Sequence, residues 1–204
     1  MALIRESLTQ GHLLKIDPYA YTPTIRPLID HEWGAGGIAY FATRWLGGRA
    51  ILLLKFALAF ATAFASGRCA KSRGADVRLI GLCAPLAIFL AHLGFLAAIR
   101  AQAYTFFLTA IWLLLLERDR RGIRSWMIVG LALFPLWVNL HAGFVVALAL
   151  TALYAVELLI RGNPVRHLLL LMCGMSLETF LNPYGPQYFT FLKRALTMAP
   201  PLCC

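Results

Sequence analysis

The chain has 204 residues, 60% of them hydrophobic and 14% charged, with a mean hydropathy of +0.72. A water-soluble domain carries about 25% charged residues, so the composition is expected to exclude an ordinary soluble surface and to indicate an integral membrane protein. Its apolar runs are continuous rather than alternating, which favours helical spans over a barrel, and the excess of 19 Lys and Arg over 9 Asp and Glu then marks cytoplasmic loops rather than a nucleic-acid partner.

In chain order, the segment ending in "DHEWG" (30–34) reads as an outer loop. Gly34–Leu46 is expected to be a short interfacial helix, because Tyr40, Phe41 and Trp45 suit the headgroup level. Spans are expected over Ala50–Ser66, Val77–Ala97, Ala103–Leu116, Trp126–Val138, Phe144–Ile160 and His167–Leu181. Ser125 to Ile160 is too long for one crossing, since 36 helical residues would reach about 54 Å against a hydrocarbon core of ~30 Å. The run should therefore break at "NLHAG" (139–143), with Pro135 bending the helix before it.

The fold class expected is thus all-α integral membrane, with about six transmembrane helices preceded by an outer loop and a juxtamembrane helix. It is one polytopic domain over 1–204: outer loop and juxtamembrane helix (1–49), transmembrane bundle (50–181) and outer tail (182–204). The five cysteines show no metal spacing; Cys83 and Cys173 read as small core residues, and Cys203 and Cys204 carry no signal.

Basic residues set an orientation. Arg68, Lys71, Arg73 and Arg78 fall in 67–78, Arg118, Arg120, Arg121 and Arg124 in 117–124, and Arg161 and Arg166 in 161–167. These alternate loops are expected on the cytoplasmic side. Asp30, His31, Glu32, Arg100, Gln102, Asn139, His141, Asn182 and Tyr184 would then converge on the opposite, outward face.

Each has a plainer role available. Asn139 and His141 suit a helix-capping turn, Arg100 could snorkel to headgroups, and "NPYG" (182–185) is a natural turn. Two carboxylates flanking a histidine in "DHEW" also suit acid–base work.

The ordered motifs "KIDPYAYT" (15–22), "DHEWG", "RAQAYTFFL" (100–108), "WVNLHAGF" (137–144) and "LNPYGPQ" (181–187) resemble a bacterial group similar to GT-C glycosyltransferases of the protein mannosyltransferase and aminoarabinose transferase types. The resemblance implies transfer of a sugar from a polyprenyl-phosphate donor to an acceptor at the outer face of the bacterial plasma membrane. Asp30 and Glu32 would be the catalytic carboxylates. His31, Arg100, Gln102, Asn139, His141, Asn182 and Tyr184 would bind substrate, with Arg100 and His141 on the phosphate side.

The partners implied are membrane lipid and the lipid-linked sugar, and no nucleic acid; oligomeric state stays open. No cofactor is required beyond the donor substrate, and no metal ligand set is assigned. A divalent cation at Asp30, Glu32 and His141 is an option that no spacing demands. The family places a transmembrane helix and a further acidic motif ahead of the region matching "IRESLTQGHLLKIDPYAYT", whereas here Met1 directly precedes it, so a fragment truncated at both ends is expected. A transporter or channel subunit and a non-catalytic membrane scaffold are the alternatives to an enzyme.

Overall fold

The computed structural model describes residues 1–21, 26–93 and 100–197. Among them the regular structure is helical: α1 (Ala2–Gln10), α2 (Trp33–Leu46), α3 (Arg49–Ser72), α4 (Val77–Leu93), α5 (Gln102–Arg120), α6 (Trp126–Leu140), α7 (Val145–Ile160), α8 (Arg166–Glu178) and α9 (Gln187–Thr197). Short 3₁₀ turns at Ala142–Phe144 and Thr179–Leu181 precede α7 and follow α8. The end of the expected Val77–Ala97 span and the tail after Thr197 lie outside the described residues.

Three helices stop by one device, an Arg-Gly pair. Gly74, Gly122 and Gly162 adopt φ of 91°, 78° and 71°, the left-handed region that glycine enters without a steric penalty. The amide after each glycine bonds back across the last turn: Ala75 N to Ala70 O, Ile123 N to Arg118 O and Asn163 N to Leu158 O. These bonds close Schellman motifs that satisfy the final carbonyls.

The core lies between α5, α6, α7 and α8. Trp112, Trp126, Trp137, Phe134, Phe144, Leu168, Leu171 and Met175 are almost wholly buried. The Trp112 ring meets Trp126 edge-on at 6.1 Å and Trp137 at 6.5 Å, an arrangement that suits the aromatic quadrupole. Its indole N–H donates to Thr151 Oγ1 at 3.0 Å, so the buried polar atom is satisfied. Gly130 makes room for this ring, since a Cβ there would lie 3.3 Å from Trp112 Cη2.

The expectation of about six membrane-crossing helices is corrected. Among the described residues only Arg49–Ser72 and Ala142–Ile160 are long and apolar enough to cross, with mean hydropathies of 1.8 and 2.2. Length decides the others. At ~1.5 Å per residue, the 15 residues of α6 reach about 22 Å and the 13 of α8 about 20 Å, short of a ~30 Å core. Helix α5 runs past the expected Leu116 to Arg120 and takes Glu117, Arg118 and Asp119 into the helix. A multi-pass placement in the bacterial plasma membrane, with a site facing outward, is corrected on the same ground.

The basic segments also differ from free cytoplasmic loops. They gather at one end of the bundle around three carboxylates. Arg73 Nε donates to Glu117 Oε2 at 3.1 Å, and Arg120 Nη1 to Glu157 Oε1 at 2.9 Å. Asp119, with its side chain 1% exposed, accepts from Arg124, from Trp126 Nε1 at 2.7 Å and from the Tyr154 hydroxyl at 3.0 Å; His167 Nε2 lies 3.2 Å away. Fragments of α5, α6, α7 and α8 are thereby tied to one carboxylate.

Candidate functional site

The opposite end of the bundle holds the second polar cluster, and its geometry begins with the break after α6. Helix α6 ends at Leu140, and His141 turns to an extended conformation with φ −165° and ψ 145°. Its Nδ1 accepts the Gly143 backbone N–H at 2.9 Å and so caps the following 3₁₀ turn. Thr105 Oγ1 from α5 lies 2.9 Å from the same nitrogen, and Trp137 Nε1 donates to Thr105 Oγ1 at 3.2 Å.

These contacts fix the tautomer. A backbone N–H can only donate, so Nδ1 is unprotonated, and Thr105, whose oxygen accepts from Trp137, gives its hydrogen to Nδ1. The proton of neutral His141 therefore sits on Nε2. That atom faces Glu32 Oε1 at 3.5 Å, and His31 Nε2 faces the same oxygen at 3.6 Å. Burial, and then the neighbouring His31, hold the His141 imidazole below the usual histidine range. Protonating Nδ1 would also break two hydrogen bonds, which acts in the same direction.

Glu32 is more open, with 39% of its side chain exposed against 15% for His141. The His31 ring stacks on Phe191 of α9 at 4.5 Å and lies 6.3 Å from the His141 ring. Tyr188, also on α9, is fully buried, and its hydroxyl has no hydrogen-bond partner among the described residues. Burial, with the Glu32 charge nearby, pushes that phenol upward.

A second layer holds α2 against the end of α6. Trp33 Nε1 donates to Asn139 Oδ1 at 3.0 Å, Asn182 Nδ2 to the same oxygen at 3.4 Å, and Asn139 Nδ2 donates to Pro135 O at 2.8 Å. Gly34 permits the approach, because a Cβ there would meet Asn139 O at 2.5 Å.

The structure thus joins His31, Glu32 and His141 in one contact set, and Asn139 and Asn182, with Trp33, in a second one. Asp30 turns its Oδ1 back to the Glu32 amide at 3.2 Å, and Tyr184 sits against the Asp30 backbone. Arg100 is exposed and Gln102 half-buried, and neither side chain makes a polar contact with the cluster. Thr105 and Tyr188 were not legible as site residues, because each stands in an apolar stretch without a recognisable spacing. Among the described residues no group of three or more His, Cys, Asp or Glu is arranged to hold a metal ion, so the cation option at Asp30, Glu32 and His141 gains no support.

Compared with protein-family models, curated proteins and solved structures, the chain matches none. The resemblance to GT-C glycosyltransferases is corrected accordingly: its short motifs are carried by no family match. Among the described residues the bundle also lacks the array of spans which that reading required. Sugar transfer from a polyprenyl phosphate at an outer membrane face is therefore withdrawn as the activity.

Proposed function

We propose that the Glu32 cluster is a general acid–base site, in which Glu32 exchanges a proton with a polar ligand. His31 and His141 position the carboxylate. The observation that carries this reading is the convergence of two imidazole Nε2 atoms on one half-exposed carboxylate oxygen, at 3.5 and 3.6 Å. A carboxylate held only by such long contacts keeps lone pairs for an incoming hydroxyl or amine. His141 is locked in one tautomer from behind, so its N–H direction does not drift.

The test is a panel of activated esters and phosphate monoesters, assayed between about pH 5 and pH 8, where histidine charge changes. Wild type, Glu32→Gln and His31→Gln are compared, with circular dichroism as the fold control. Turnover by wild type with a loss of about 10²-fold or more in Glu32→Gln supports the assignment. Equal rates in wild type and Glu32→Gln return the cluster to a role in holding α2 on α6.

A further inference from the structure

The end of the bundle opposite the Glu32 cluster holds most of the surplus charge. The segments 67–78, 117–124 and 161–167 carry ten Lys and Arg against three carboxylates, and Glu157, one turn before Arg161, adds a fourth. Contacts between the segments make them neighbours. Arg73 Nε meets Glu117 Oε2 at 3.1 Å, Arg120 Nη1 meets Glu157 Oε1 at 2.9 Å, and His167 Nε2 lies 3.2 Å from Asp119 Oδ2.

The charges at this end are layered. The carboxylates lie beneath: the Glu117 side chain is only 11% exposed, and Asp119 is buried. The guanidiniums lie above them, with Arg73 54% and Arg161 66% exposed. Arg73, Arg120, Arg124 and Arg161 each rest on a carboxylate, which fixes the group and leaves it further N–H donors. Arg118 and Arg166 are exposed and make no ion pair among the described residues. Nine of the ten cations are arginine, whose planar fork takes two oxygens of one phosphate. A surplus of this size on one face repels itself until an anionic surface covers it.

Apolar side chains stand among these cations. Ile123 is exposed in the loop between α5 and α6, flanked by Gly122 and Arg124. Val77, also exposed, opens α4 beside Arg78, and Ile160, 82% exposed, closes α7 beside Arg161. Neither water nor the phosphate backbone of a nucleic acid gives such groups a partner. A lipid headgroup layer answers both features, with phosphates at the guanidiniums and the acyl boundary within reach of short apolar tips.

We infer that this end of the bundle docks on an anionic phospholipid surface, with the arginines on headgroup phosphates and Ile123 at the acyl boundary. The contact lies on the bilayer and needs no crossing helix, so the short lengths of α6 and α8 do not limit it. Each cation close to an anionic bilayer raises partitioning about fivefold. The Glu32 cluster, at the other end of the bundle, faces away from the lipid and stays open to a dissolved ligand.

Co-sedimentation of the full chain with vesicles tests this. Phosphatidylcholine vesicles are compared with vesicles that also hold about 30% phosphatidylserine. Partitioning should be at least about twentyfold stronger on the anionic vesicles at about 0.1 M salt, and should weaken steeply towards about 0.5 M. Arg118→Gln with Arg166→Gln breaks no ion pair and should lower it about 25-fold. Arg5→Gln with Lys15→Gln, in the segment that packs beside α2 at the Glu32 end, should leave it unchanged. Ile123→Ser should weaken vesicle binding without altering the affinity for a duplex oligonucleotide. Circular dichroism confirms that each variant is folded. Equal partitioning on the two vesicle types overturns the inference, as does an unchanged Arg118 and Arg166 double variant or an equal loss in the Arg5 and Lys15 pair. Tighter binding to the oligonucleotide than to the anionic vesicles, with no effect of Ile123→Ser on either, overturns it in favour of a nucleic-acid partner.

Discussion

Asp119 and His167, 48 positions apart in the chain, meet at 3.2 Å between Oδ2 and Nε2. Arg124, Trp126 and Tyr154 complete the enclosure of the same carboxylate. Removing one partner of a buried charge network leaves the others desolvated without compensation. Asp119→Asn should therefore destabilise the fold by about 3–5 kcal/mol, read from denaturant unfolding followed by circular dichroism.

The same carboxylate sets an acid limit. Burial pushes the Asp119 carboxyl up, but hydrogen bonds from Arg124, Trp126, Tyr154 and His167 outweigh it and hold the group below the usual carboxylate range. Its folded value thus lies below the unfolded one of about 3.9. Its stabilisation is complete above that pH and is lost as pH falls through the folded value. Wild type should lose stability below about pH 4, and Asp119→Asn should show a flatter dependence over that window. An equal slope in both proteins would assign the acid limit to other carboxylates.

His141 acts in a higher window with the same sign. Its folded value is lowered, so the unfolded chain binds the extra proton first, and stability falls as pH drops below about 6.5. His141→Asn should flatten the slope of stability against pH there. Thermal melts at a series of pH values supply the measurement, and an unchanged slope would show that His141 does not control this step.

Gly143 tests the backing of that imidazole. A Cβ at this position would collide with Thr105 Oγ1 and Cγ2 and lie 2.8 Å from His141 Nδ1, whereas nothing lies within 4 Å of a Cβ at Gly37. Gly143→Ala should cost about 1–3 kcal/mol and shift the His141 ring resonances in NMR spectra. Gly37→Ala, inside α2, should be neutral or stabilising by up to about 1 kcal/mol.

In the core, Trp112 and Thr151 share one buried hydrogen bond at 3.0 Å. Thr151→Val should cost about 1–3 kcal/mol, because it leaves the indole N–H unmet, and Trp112→Phe removes the bond while the Thr151 hydroxyl keeps its donation to Ala147 O at 2.7 Å. The double variant should cost less than the sum, which chemical denaturation of the four proteins measures directly as a coupling energy.

The sequence by itself determined where most helices lie. Apolar runs place the starts of α3 to α8 within a residue of the observed ones, and Asn139–Gly143 marks the break between α6 and α7. It also determined that polar residues collect at the two ends of the bundle, because they alternate between successive connections. Hydropathy alone overstated the crossings, since it measures apolar content and not how soon a helix ends; α6 and α8 stop short of a bilayer's thickness. Only the tertiary structure decided the partners. Asp119 reads as part of a solvated basic loop, yet α5 carries it into a buried position where groups from α6, α7, α8 and the loop after α5 surround it. Thr105 is one hydroxyl in an apolar run until the fold sets it 2.9 Å from His141. Such pairings join residues tens of positions apart, and no local periodicity encodes them. They exist because leaving a buried donor or acceptor unmet costs more than bringing distant segments together.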